Sequence, residues 1–186
     1  MQIKTLNMKK NCYLLLVLLI ACFSSKAQGI APDSIKAQMV KDWQRAKTYT
    51  NAYLNALPAE KYSARIADTI RTFAEQMLHL SSGIISLTAN GTGAQRIFAG
   101  FAMEKSPGAQ SKDSVSYYVN AAYDFAINAI QSMDANKLGE HVKRGNTDET
   151  RFSWLLKSFE HQTHHRGQCT IYIRLHGFRP PNEMLF

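Results

Sequence analysis

Glu160-His161-Gln162-Thr163-His164-His165-Arg166-Gly167-Gln168 lies inside a run without proline that extends from about Asn146 to Gly177 and carries helical periodicity. On a helix, residues four apart lie one turn above each other on the same face. His161 and His165 can therefore point two imidazoles at one ion. His164 is about 100° round the helix from His165 and cannot share that geometry comfortably. The histidine face also carries Trp154, Ser158, Gln168 and Tyr172, which places an aromatic residue to either side of the pair. A His-x3-His pair alone fits a solvated histidine patch as well as a metal site. Two imidazoles are also one short of the three protein ligands typical of catalytic zinc.

Upstream of this run, three further segments have helical periodicity. The first spans about 34–57, with Ile35, Met39, Trp43, Ala46, Tyr49, Tyr53 and Leu57 on one face and Pro58 closing it. The second spans about 69–89, with Asp68 as the expected N-cap and Asn90-Gly91 as the stop. Its apolar stripe is Ile70, Phe73, Met77, Leu80, Ile84 and Leu87. The third spans about 112–135, with Val115, Val119, Ala122, Phe125, Ala126, Ala129 and Met133. The fourth, carrying the histidines, is expected to open at Asn146, where Asn146-x-x-Glu149 has capping-box spacing. Gly177, Phe178 and Pro180 fit a Schellman-type stop. No alternating run flanked by turn residues is evident, so a sheet is not expected. The pattern predicts an all-α four-helix bundle with a long connection, 91–111, between helices 2 and 3. Connections of this length carry a function or a short helix of their own.

The first 27 residues read as an address rather than as fold. Lys4, Lys9 and Lys10 precede the apolar run Cys12–Phe23, and Ser25-Lys26-Ala27 is a small-x-small cleavage site. The run is too short for a bilayer, which needs about 20 residues. Residues 1–27 are thus expected to be a signal peptide and 28–186 a single domain, exported to the periplasm or secreted. Leu19-Ile20-Ala21-Cys22 also has the form of a lipobox, so a lipid-anchored product beginning at Cys22 is the alternative.

Removing this leader takes four lysines and no acid, so the formal charge falls from +8 to +4. That is ordinary for a soluble surface. No basic run of the kind that tracks a phosphate backbone is present, which argues against nucleic acid as a partner. Of three cysteines only Cys169 would remain, too few for an internal disulfide.

The third ligand must come from His79, His141 or His176. His176 is three turns along the same helix from His165 and out of reach. His141 is expected in a loop beside Lys143 and Arg144, where a solvated side chain is the natural reading. His79 is at the right depth in the second helix, but the helical wheel places it near Thr72, Glu75, Ser82 and Ser86, away from the apolar stripe. A surface histidine and a polar strip turned towards a central cavity look alike in sequence.

The segment HQTHHRGQCTIYIRLHG, His161 to Gly177, followed by Pro180-Pro181, resembles the C-terminal signature of the DinB family. The matching residues are His161, His165, Arg166, Gly167, Gln168, Arg174, Gly177, Pro180 and Pro181. Leu57-Pro58 before Glu60-Lys61-Tyr62, and Phe73 six residues ahead of His79, are similar to the family's approach to its first metal histidine. The resemblance spans about residues 33–182. It implies a four-helix bundle that binds a divalent ion, commonly zinc or nickel, through His79, His161 and His165. Many relatives are cytoplasmic, and the leader departs from that pattern.

Around such a site Gln168 could orient His165 as an outer hydrogen-bond partner, and Glu75, one turn before His79, could do the same for His79 or be merely solvated. Trp154, Tyr172, Phe98 and Phe101 are expected to wall a pocket over the ion. Gly167 is expected at a close helix contact, Arg166 and Arg174 on carboxylates or loop carbonyls, and Cys169 in the core. The resemblance points to a metal-dependent enzyme with a small-molecule substrate, in which a low-molecular-weight thiol attacks an electrophile; hydrolysis uses the same parts. A non-catalytic binding module at the cell surface or in the periplasm is the alternative, and a bundle serving association, such as a homodimer, is a third.

Overall fold

The computed structural model describes residues 29–186, so the leader, its cleavage site and Cys22 lie outside the described residues. The unit Pro32–Phe186 contains four α-helices: α1 Pro32–Ala56, α2 Phe73–Thr92, α3 Lys112–Ser132 and α4 Arg151–Leu175. Between α3 and α4 lies a hairpin of β1 His141–Arg144 and β2 Thr147–Thr150, paired antiparallel with Arg144 opposite Thr147. The bundle is the predicted fold.

α1 buries Trp43, Ala46, Tyr49, Tyr53 and Leu54, and α3 buries Val115, Val119, Ala122, Tyr123, Ala126 and Ile130. These faces meet at Trp43, whose ring makes edge-to-face contacts with Tyr123 of α3 at 5.7 Å and with Phe159 of α4 at 5.4 Å between centroids. Such pairs add about 0.5–1.5 kcal/mol beyond the area they bury. α2 packs against both α3 and α4. It therefore buries not only Phe73, Met77, Leu80 and Ile84 but also Leu78, Ser81, Ile85 and Thr88, off the expected stripe. A helix with neighbours on two sides cannot show a single clean stripe.

The helix ends differ from expectation in an instructive way. α2 starts four residues after Asp68, at the N-cap Thr72. The Thr72 hydroxyl accepts from the Glu75 N–H at 3.1 Å, and the Glu75 carboxylate accepts from the Thr72 N–H at 2.7 Å. This reciprocal box satisfies two of the donors a helix start leaves orphaned. It leaves Ile70 outside the helix and 37% exposed, and Arg71 in the approach segment. α2 also runs past Asn90-Gly91 to Thr92, and Gly93 at φ 82° caps it. Gly91 instead admits Leu155 of α4, whose Cγ would stand 2.8 Å from a Cβ there.

α4 does not open at Asn146. Gly145 and Asn146 form the two-residue loop of the hairpin, with Gly145 at φ 59°, and Thr150 is the N-cap, accepting from Ser153 N–H at 3.1 Å. The arms have four residues each and no apolar alternation, so the only strand signal was the Gly-Asn pair itself. Trp154 holds the hairpin: its indole donates to the Val142 carbonyl at 3.0 Å. The α4 terminus is the expected Schellman motif, with Phe178 N–H on Ile173 O, Gly177 N–H on Arg174 O, and Gly177 at φ 84°.

Between α2 and α3 the chain passes through two short 3-10 turns, Met103–Lys105 and Pro107–Ala109, anchored by the buried Met103 and Ala109. Phe98, at φ 53°, stacks against Tyr117 and Tyr118 of α3, and Phe101 against Tyr118.

Candidate metal centre

α2 and α4 bring His79, His161 and His165 together, so that one ligand atom from each lies within 4.8 Å of the others. The ring centroids are 4.3 Å apart for His161 and His165, 4.6 Å for His79 and His165, and 5.3 Å for His79 and His161. His165 is buried, and the other two are partly exposed. His164, exposed on the same helix, is not in the cluster, and neither is His141 nor His176. His79 thus meets the histidine face of α4, whereas Ser82 and Ser86 of the same strip line a recess beneath the segment that follows α2.

Gly83, one turn after His79, makes this approach possible. A Cβ on Gly83 would lie 2.0 Å from Cε1 of His161 and 2.4 Å from its Nδ1, so any side chain there would occupy the imidazole's space. Gly167, by contrast, has nothing within 4 Å of its would-be Cβ, and the expected close packing is not at that residue. A glycine interrupting an otherwise apolar helix, at four residues from a histidine, was the available signal for Gly83.

The outer partners sort themselves by side. His165 Nδ1 lies 2.9 Å from Gln168 Oε1 and 2.7 Å from Nε2 of Gln76, which donates to the same Gln168 oxygen. His79 Nδ1 lies 2.9 Å from Glu104 Oε2. Glu75 does not serve His79: its carboxylate is committed to the Thr72 cap and to Arg65, at 2.8 Å and 3.0 Å. Helical spacing favoured Glu75, and the competing helix cap claimed it. Glu104 comes from the connection between α2 and α3, where no spacing rule links it to His79. With both Nδ1 atoms so engaged, Nε2 is the ligand atom that His79 and His165 have free.

Burial, followed by repulsion from the neighbouring imidazoles, pushes both His161 and His165 down to about 4. They are neutral at neutral pH, the form that binds metal. His161 Nδ1 is buried and has no hydrogen-bond partner among the described residues. Imidazole nitrogens converging from two helices, with His161 Nδ1 lacking a partner, fit a borderline-soft divalent ion such as zinc or nickel. For Glu104, burial raises the carboxyl, but hydrogen bonds from Arg71 and His79 outweigh it and hold the group below its usual range.

Beside the cluster lies an open cavity of about 850 Å³, lined by Arg65, Arg71, Glu75, Gln76, Glu104, Gln168 and Tyr172 among others. Its walls are polar rather than apolar. Tyr172 lines it, although none of the three histidines does; Trp154 does not, being committed to the hairpin, and Phe98 and Phe101 line a separate, smaller recess with Ser82 and Ser86. Arg166 also departs from expectation. It is buried, donates to Gln162 Oε1 at 2.9 Å and lies 4.4 Å over the Tyr49 ring, with neither a carboxylate nor a loop carbonyl as partner. Cys169 is buried in the core, where desolvation pushes its thiol up.

The fold and the imidazole cluster between its second and fourth helices define a class: helical bundles with a built three-histidine site. The chain matches the DinB family over residues 26–184 and belongs to that family. Two solved structures share the fold. One is a DinB-like protein from Bacillus cereus, 23% identical, with a TM-score of 0.66 over 78% of this chain and 95% of its own. The other is the DinB-like protein YjoA from Bacillus subtilis, 16% identical, with a TM-score of 0.59 over 80% of this chain and 96% of its own. At these identities the likeness is one of fold. No curated protein matches the chain.

Proposed function

We propose that this chain is an exported metalloenzyme that uses a divalent ion, zinc or nickel, for thiol transfer to an electrophilic small molecule or for hydrolysis. The observation that carries the proposal is the ligand set. Three histidines cluster with no fourth histidine, cysteine or carboxylate among the described residues, which is the donor count of catalytic rather than structural zinc. An ion held by them would supply Lewis acidity, bringing the pKa of water or a thiol towards neutrality.

The chain's own residues do the rest. Gln168 and Gln76 hold the His165 ring, and Gly83 leaves space for His161. The polar cavity has the size of a small-molecule site. Cys169, the one cysteine among the described residues, is buried with a raised thiol pKa and is no nucleophile, which favours a thiol that arrives as a small molecule. The test is the cobalt-substituted protein, titrated with a small thiol and with azide. A change in the visible spectrum at millimolar ligand is expected; an unchanged spectrum, with four protein donors fitted by X-ray absorption, would leave a non-catalytic metal-binding bundle.

Export is supported by the lysine-flanked apolar run and Ser25-Lys26-Ala27. Mass spectrometry of protein from its native cells is expected to find a mature N-terminus at Gln28, or a lipidated Cys22. An intact Met1 would remove this part of the proposal.

A further inference from the structure

The carboxylate beside His79 belongs to neither bundle helix that carries the histidines. Glu104 sits on the 3-10 turn Met103–Lys105, whose first residue is buried. Its Oε2 is 2.9 Å from His79 Nδ1, and its Oε1 accepts from Arg71 Nε at 2.5 Å. Arg71 Nη2 is itself 3.4 Å from the same histidine nitrogen. Farther along, the Gln110 side chain donates to the Glu104 backbone carbonyl at 2.9 Å and to that of Ser106 at 3.3 Å, which ties the turn to itself.

An ionised carboxylate only accepts hydrogen bonds, and an arginine only donates. Nδ1 of His79 therefore has two neighbours that ask opposite things of it. The carboxylate is nearer by half an ångström and charged, so Nδ1 carries the proton and donates to it, with the lone pair on Nε2. Without Glu104, Arg71 would be the remaining neighbour and would draw the lone pair to Nδ1, away from the other imidazoles. The ring is not held from behind by packing either, being about one-third exposed.

We propose that Glu104, braced by Arg71, is a positioning residue that fixes the tautomer and ring orientation of His79, so that the segment between α2 and α3 completes the metal centre from outside the helices. Arg71, Glu104, Gln76 and Gln168, the side chains that approach the Nδ1 atoms of His79 and His165, all line the polar cavity. The side chains that orient the site are thus also part of the lining of that cavity. The proposal rests on the cluster being a metal centre, but its first readout does not require metal.

The experiment uses the whole mature chain and the variants Glu104→Ala, Glu104→Gln and Gln110→Ala. Nitrogen-15 NMR of the histidine rings in metal-free protein, with His79 assigned by its loss in His79→Ala, reads the tautomer. Cobalt(II) titration reads affinity. The wild type is expected to show protonated Nδ1 at His79, and Glu104→Ala a shift towards protonated Nε2 with a cobalt affinity lower by about 10–100-fold. Glu104→Gln, which keeps an acceptor oxygen, should retain the wild-type tautomer and lose less. Gln110→Ala loosens the turn without touching His79 and should stay within about two-fold of wild type. An unchanged tautomer in Glu104→Ala overturns the proposal, as does an equal loss in Gln110→Ala, which would mark a merely structural turn. If the wild type bound no cobalt, the metal reading would fall, and the tautomer comparison alone would uphold or overturn the role of Glu104.

Discussion

Gly83→Ala is expected to abolish metal binding in a protein that still folds. The added methyl would stand 2.0 Å from Cε1 and 2.4 Å from Nδ1 of His161, distances at which one of the two groups must leave. The methyl is fixed to the backbone of α2, whereas the imidazole turns about two side-chain torsions and is partly exposed. The ring is therefore the group that moves, and it moves out of the cluster. Alanine is also the better helix former by roughly 0.5–1 kcal/mol, which works against destabilisation of α2. Affinity should fall by more than the roughly 10–100-fold that loss of an outer hydrogen-bond partner costs. The metal-to-protein ratio after dialysis and a circular-dichroism melt, run side by side, check both halves. Stoichiometric metal in Gly83→Ala would show that His161 does not bind the ion from the place it occupies.

His161→Ala and His165→Ala should each leave the protein without stoichiometric metal, whereas His164→Ala should keep it. His164 is a ring neighbour of His165, with centroids 4.9 Å apart, yet it is exposed and outside the cluster. The two losses are expected to differ in their effect on the fold. His161 Nδ1 has no partner among the described residues, so its removal orphans no other group. Removing the His165 ring takes one partner from the buried Gln76 amide, which keeps its bond to Gln168, and losing one such hydrogen bond costs about 0.5–1.5 kcal/mol. His165→Ala should accordingly melt lower than His161→Ala. Metal analysis of protein purified without a histidine tag or chelator decides the first point: loss in His164→Ala with retention in His165→Ala would mean that the ligand register is wrong by one residue.

Much of this architecture was legible beforehand because it depends on local rules. The one-turn spacing of His161 and His165 follows from helix geometry, as do the buried faces of α1 and α3 and the Gly177 stop. The departures have a common cause. Local spacing allows Asp68 to cap α2, Glu75 to serve His79, Asn146 to open α4 and Trp154 to wall the site, and in each case a competitor decides. Thr72 and Glu75 satisfied each other at the α2 start, which settled both the cap and the carboxylate. The Gly145-Asn146 turn took the place of a helix start, and the hairpin it formed recruited Trp154.

What the sequence determined by itself is the family of solutions: a helical bundle, two imidazoles stacked on one face of its last helix, and a core cysteine off that face. What only the tertiary structure decided is what meets that face. α2 packs against both α3 and α4, so His79 comes to face the histidines of α4, and Gly83 becomes the space in which His161 sits. Glu104, twenty-five residues from His79 and outside the four α-helices, arrives beside it on a short turn held by the buried Met103. Periodicity reports which residues share a face, since that depends on 3.6 residues per turn. It cannot report which other face, or which loop, the folded chain will lay against it, since that depends on packing between segments distant in sequence.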